Sequence, residues 1–297
     1  MTRRFPKVEG PELELTQQPP EQLHLPDGRR LAYDLRGDPE GQPVFWFHGS
    51  PSGRLEGILL ERFGRDEGFN FIVSDRPGLG ASSPHPGWSM ASYASDVEQL
   101  ADHLGLERFS VAGGSGGGPF VLALAAHCPQ RIDRAVSLAC AGAFEHEDAR
   151  AVMGWVDALA AWAVRRAPAL VQLYFTTLSG LAHTPEFIAR WGGRVFAPGG
   201  QPDFAVLFLR VLRESSRPGT AGLIRDTEVL HRGWGFALED IPIPVDLVNG
   251  TRDEFVGLGY GKVLSRRIPQ SRLHIAERDD HFRTIFDLDR LERLLRT

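Results

Sequence analysis

The sequence predicts an α/β fold: a mostly parallel central sheet of about eight strands, flanked by helices. Three observations carry this. Short apolar runs alternate with stretches of helical spacing up to residue 140, and again after residue 240. Several of the runs are continuously apolar, as in strands buried on both faces. Between the two regions, roughly a hundred residues read as helices and loops with no clear strand. That middle part is therefore expected to be a helical lid inserted after the sixth strand, not a separate domain. The core is assigned to residues 1–140 and 241–297, and the cap to 141–240.

The elements follow in order. Gln22 to Leu25 and Arg30 to Arg36 flank Pro26-Asp27-Gly28, which is turn chemistry, so a hairpin is expected. Val44 to Phe47 is the third strand and ends at His48-Gly49-Ser50-Pro51. A helical stretch from Arg54 to Phe63 precedes a strand, Phe69 to Val73, which ends in the Pro- and Gly-containing loop Ser74 to Gly80. Ala91 to Leu104 places Tyr93, Val97, Leu100, Ala101 and Leu104 on one helix face. The strand Phe109 to Ala112 runs into Gly113-Gly114-Ser115-Gly116-Gly117, then an apolar helix, Phe120 to His127, and a strand, Ala135 to Ala139. After the insertion come a strand at Pro244 to Asn249, a helix at Val256 to Arg267 and a strand at Arg272 to Ala276. One last helix is expected from Phe282 to Leu295.

Composition narrows the function classes. A chain of 297 residues suits one α/β core with an inserted sub-domain. The net charge of -5 is spread along the chain, so no basic stripe invites nucleic acid. The basic N-terminus has no apolar stretch behind it, and Phe120 to Ala126 and Ala158 to Val164 are too short to span a bilayer. A cytoplasmic protein without a membrane partner is expected. Cys128 and Cys140 lie in apolar surroundings and are expected to be buried, reduced thiols. Oligomeric state is left open.

Gly113 to Gly117 satisfies G-x-S-x-G between a strand and a helix. A sharp turn there exposes the Ser115 hydroxyl at the carboxyl edge of the sheet. Glycines two residues to either side remove Cβ atoms that would clash. The helix start also offers unpaired N–H groups where an oxyanion would develop. A dinucleotide loop fits less well, because Pro119 occupies the last glycine position of the frame that begins at Gly114. A P-loop would need a Lys-Ser or Lys-Thr pair, which does not follow. His146-Glu147 begins an H-E-x-x-H, but Arg150 stands in place of the second histidine. No metal and no cofactor are implied.

With these landmarks the chain resembles the α/β-hydrolase family from about Leu23 onward. His48-Gly49-Ser50-Pro51 is similar to the family's oxyanion loop. Asp75-Arg76-Pro77-Gly78-Leu79-Gly80-Ala81-Ser82 resembles the D-x-P-G-x-G-x-S loop of lid-bearing members, and the Ser115 elbow is the third landmark. The resemblance implies an acid after a later strand, matched by Asp253 in Asn249-Gly250-Thr251-Arg252-Asp253. It implies a base near the end of the chain, matched by His281. Asp246, Asp279 and Asp280 are rivals for the acid: the first falls inside a strand and the others adjoin the histidine. The family usually has glycine immediately before this histidine, whereas this chain has Arg278-Asp279-Asp280.

The roles then follow as expectations: Ser115 as nucleophile, His281 as base, Asp253 orienting the imidazole, and the backbone N–H groups of Ser50 and Gly116 holding the oxyanion. His48 and Gly49 in the loop, and Trp155 and Phe175 among the cap aromatics, are expected to contact substrate. That substrate is expected to be a small molecule, a carboxylic ester with an apolar part. Alternatives are a proline-iminopeptidase-like aminopeptidase, in which Glu186, Glu214 or Asp226 would hold the substrate ammonium, a C–C hydrolase, and a non-catalytic receptor for a small ligand.

Overall fold

The computed structural model describes residues 4–6, 10–140, 142, 145–182, 184 and 202–297. Eight strands form one sheet in the order β1-β2-β4-β3-β5-β6-β7-β8. They are β1 Glu21–His24, β2 Arg30–Gly37, β3 Gln42–Phe47, β4 Phe69–Ser74, β5 Phe109–Gly114, β6 Ile132–Leu138, β7 Val245–Gly250 and β8 Ser271–Ala276. β1 and β2 pair antiparallel, as does β2 with β4, and the remaining pairs are parallel.

Among the described residues the α-helices are α1 Gly10–Glu14, α2 Glu61–Glu67, α3 Met90–His103, α4 Gly118–His127, α5 Glu147–Ala151, α6 Trp155–Arg166, α7 Pro168–Ala182, α8 Pro202–Ser215, α9 Ala221–His231, α10 Leu258–Arg267, α11 His281–Phe286 and α12 Leu288–Arg296. Helices α5 to α9 lie between β6 and β7, where the insertion was expected. Glu186, also expected there, lies outside the described residues.

Sequence and sheet agree for a simple reason. Val44, Phe45, Trp46 and Phe47 of β3 are all buried, as are all six residues of β5, because helices cover both faces. On one side Phe45, Phe47 and Ile72 pack with Tyr93 and Val97 of α3 and Phe120 and Leu124 of α4. On the other, Val44, Trp46, Phe71 and Val73 pack with Leu60, Phe63, Phe286 and Leu291.

Two expected helices differ. The segment after Gly53 begins as a 3-10 helix, Arg54–Leu60, before turning α-helical. It runs hard against the sheet, since a Cβ on Gly57 would come within 2.7 Å of Val73. The last helix is two. Asp287 leaves helical geometry at ψ 94° and its carboxylate caps the next helix by accepting from the Arg290 N–H. The cysteines are buried as expected, and burial pushes both thiols up to about 12.

Candidate active site

Ser115, Asp253 and His281 follow the carboxyl ends of β5, β7 and β8, three parallel strands of the sheet. Ser115 follows β5 directly and has φ 54°. Left-handed backbone is strained for a residue with a Cβ and persists only where the surroundings impose it. Here the glycines allow it. A Cβ on Gly113 would stand 2.9 Å from the Gly117 carbonyl oxygen, and one on Gly117 would stand 1.9 Å from that of Phe47. Among the described residues, the other non-glycine positive-φ positions, Ala139 and Arg278, also follow strand ends, those of β6 and β8.

The loops that carry Asp253 and His281 are laced together. Gly250 ends β7 against the Asp279 carbonyl, 2.4 Å from where its Cβ would stand. Arg252 N–H donates to that carbonyl at 3.0 Å, and Arg278 N–H to the Thr251 hydroxyl at 2.8 Å. Asp253 Oδ1 accepts from the N–H groups of Phe255 and Val256, at 2.9 and 2.8 Å. Its Oδ2 accepts from His281 Nδ1 at 2.8 Å, and the Asp253 side chain is fully enclosed. A carboxylate only accepts, so Nδ1 carries a hydrogen, and in the neutral ring the lone pair is then on Nε2. The His281 ring lies between Phe255, centroids 5.3 Å apart, and Phe282, 5.8 Å apart. Helix α11 packs on the elbow: a Cβ on Gly114 would meet Ile285 at 2.4 Å.

The rival carboxylates have other work. Asp246 bonds His274 across β7 and β8 at 2.7 Å. Asp279 pairs with Arg290 at 2.5 Å. Asp280 caps α11 by accepting from Arg283 N–H at 2.9 Å, in extended backbone that any residue adopts. The missing glycine before His281 is thereby accounted for: a capping aspartate needs no positive φ, and the left-handed turn falls two residues earlier, on Arg278.

On the facing side, Ser50 and Gly116 are in close backbone contact. A Cβ on Gly116 would stand 3.0 Å from the Ser50 nitrogen. The Gly49 N–H, by contrast, donates to Glu56 at 3.0 Å. Glu56 also accepts from Trp46 Nε1 and the Ser52 hydroxyl, while burial pushes its pKa up. The D-x-P-G-x-G-x-S loop is explained by Asp75, whose carboxylate accepts from the Arg54 and Ala81 N–H groups at 2.8 and 3.0 Å. Its Oδ2 fills the space of a Gly80 Cβ at 2.1 Å, so this left-handed position must be glycine.

The expected substrate contacts fare differently. His48 is fully buried, its Nδ1 donating to the Gly49 carbonyl at 2.9 Å; burial, then Arg76, holds its pKa well below 6.5. Phe175 is enclosed with Leu79, Ala163, Val164, Val171 and Leu223. Both side chains serve the interior and offer no surface to a substrate. Trp155 stands 77 % exposed at the start of α6. Phe255, not singled out from the sequence, is the half-exposed aromatic against His281. It sits two residues after Asp253, and no periodicity marks it. An open hollow of about 630 Å³ lined by Gln42, Asp133, Arg134, Leu295 and Arg296 lies at the opposite, amino-terminal edge of the sheet. No helix among the described residues is long and apolar enough to cross a membrane.

A family model described as alpha/beta hydrolase fold matches residues 42–287. The chain belongs to the α/β-hydrolase fold family. It is 34 % identical to a proline iminopeptidase of Xanthomonas citri over 110 residues, 35 % of this chain and 34 % of that protein. A second proline iminopeptidase, from Xylella fastidiosa, is 32 % identical over 38 % of this chain and 37 % of its own length. The chain thus spans little more than a third of these relatives. Among solved structures, an alpha/beta hydrolase fold protein from Nakamurella multipartita superposes with a TM-score of 0.64 at 25 % identity, covering 93 % of this chain and 99 % of that one. An esterase from Exiguobacterium antarcticum has the same fold at 19 % identity and a TM-score of 0.63, covering 92 % and 97 %.

Proposed function

We propose that this protein is a serine hydrolase that cleaves a small carboxylic ester with an apolar part. The observation that carries the proposal is the left-handed Ser115 at the carboxyl end of β5, set in a strand-to-helix elbow that is closed tightly enough to require Gly113 and Gly117. His281 Nε2 takes the Ser115 proton as Oγ attacks the ester carbonyl. The Ser50 and Gly116 N–H groups receive the oxyanion. Collapse expels the alcohol, which takes the proton from His281, and water then repeats the cycle to release the acid. Asp253 holds the imidazole tautomer and stabilises its charged form. The helices between β6 and β7 form a cap over this edge, and Phe255 and Phe282 beside His281 support an apolar substrate.

The proline iminopeptidase relatives favour a second reading, removal of an N-terminal residue from a peptide. That chemistry needs a carboxylate for the substrate ammonium. Asp226 is held by Arg76, and Glu214 is shared by Arg54 and Arg217 at 3.1 and 3.5 Å. Both described candidates are thus engaged by arginines.

The test compares wild type with Ser115→Ala on p-nitrophenyl esters of rising acyl length and on proline p-nitroanilide. The expected result is ester turnover that falls about a million-fold in the variant. Turnover of the anilide but not the esters would establish the second reading. A variant as active as wild type would refute the nucleophile.

A further inference from the structure

One buried ion pair joins the inserted helices to the oxyanion loop. Arg76, just after β4, and Asp226, on α9, both have fully enclosed side chains. Arg76 Nε and Nη2 donate to the two Asp226 oxygens at 2.6 and 2.9 Å. Nη1 donates to the His48 carbonyl and Nη2 to the Gly49 carbonyl, each at 2.7 Å. Asp226 Oδ2 also accepts from the Ser50 hydroxyl at 2.7 Å. The guanidinium lies over the Phe120 ring, 4.8 Å from its centroid.

Burying a charge pair is poor value for stability, since apolar residues of similar volume often do as well. The partners of this one have a sharper meaning. The Gly49 carbonyl and the Ser50 N–H belong to one planar peptide unit, and in a trans unit they point in opposite directions. Holding that carbonyl on Arg76 therefore sets where the Ser50 N–H points. Asp226 fixes the guanidinium by two bonds and the Ser50 side chain by a third. We infer that Arg76 and Asp226 are positioning residues that aim the Ser50 N–H at the oxyanion, and that this aim depends on the seating of α9. Helix α9 thus controls the electrophilic half of the site. The inference rests on the serine-hydrolase reading.

The experiment measures kcat, KM and inhibition by a trifluoromethyl ketone on the best ester. Active sites are counted by stoichiometric fluorophosphonate labelling. The ketone accepts Ser115 Oγ at its carbonyl carbon while the serine proton passes to His281, leaving an oxyanion for the same donors. The variants are Asp226→Asn, Arg76→Lys and, because a lone buried charge can prevent folding, the double variant Arg76→Met with Asp226→Leu. In the folded variants, kcat per titrated site and ketone affinity should fall together by about 10- to 100-fold, with KM within about threefold. That is less than the hundred- to thousand-fold typical of losing such a donor outright. A folded double variant with wild-type kcat and ketone affinity would overturn the inference while leaving the nucleophile intact. So would losses that vanish once activity is divided by titrated sites. Wild-type protein that resists labelling, or Ser115→Ala that turns over normally, would overturn the hydrolase reading and this inference with it.

Discussion

Trp46 and Trp88 of the core are each 1 % exposed, whereas Trp155 and Trp162 on α6 are 77 % and 51 % exposed. The same residue type does opposite things in the two regions. In the core, sheet and helices enclose each ring, and Trp46 also donates Nε1 to Glu56 at 2.8 Å. On α6, Ala163 and Val164 turn inward against Leu79 and Leu223, while Trp155, Leu159 and Trp162 share the exposed face. Small residues carry the apolar attachment of this helix, and its large apolar ones are left over. Aromatic content thus locates the core, but it does not locate a substrate wall in the insertion.

The comparison is sharpened by separating chemistry from attachment. The largest effect is expected in the core loops: Asp253→Asn should lower kcat about ten-thousand-fold with little change in unfolding midpoint. The amide keeps Oδ1 for the Phe255 and Val256 N–H groups but presents NH2 to His281 Nδ1, forcing the wrong tautomer. Steady-state kinetics beside a thermal melt decides it, and a parallel loss of folding would contradict the assigned role.

Next in size, Trp46→Ala should cost about 3–5 kcal/mol in urea unfolding. Trp155→Ala should stay within about 0.5 kcal/mol. Equal costs would break the contrast between the two regions.

The smallest effect is a pH dependence from His48. Its folded pKa lies well below 6.5, so below that pH the unfolded chain takes up a proton that the folded one refuses. The stability concerned is complete above about pH 6.5 and declines as the pH falls. His48→Gln should remove about 1 kcal/mol of the loss between pH 6.5 and 5.5, read from urea midpoints.

Much of the site was legible because its signals are local. A strained serine needs small neighbours within two residues, so Gly113 and Gly117 mark Ser115 in the chain itself. Asp253 and His281 were placed by their positions after strands, which resemblance to a family supplies. The split at Asp287 was not legible, because Leu288, Leu291 and Leu295 continue an apolar face that looks like one helix. Trp155 and Phe175 were equally plausible from sequence as pocket residues. Their difference lies in which face of each helix meets Leu79, and helical spacing carries no sign for inside.

By itself the sequence determined the sheet and its order of elements, the elbow, and the loops that carry Asp253 and His281. Each depends on residues close together in the chain, through burial period, turn chemistry and steric relief. Tertiary structure alone decided that Arg76 meets Asp226, 150 residues further on, and that their partners are the His48 and Gly49 carbonyls. A charge in sequence has no address. Only the packing of α9 on the core supplies the enclosed, low-dielectric space in which such a pair must find its partners.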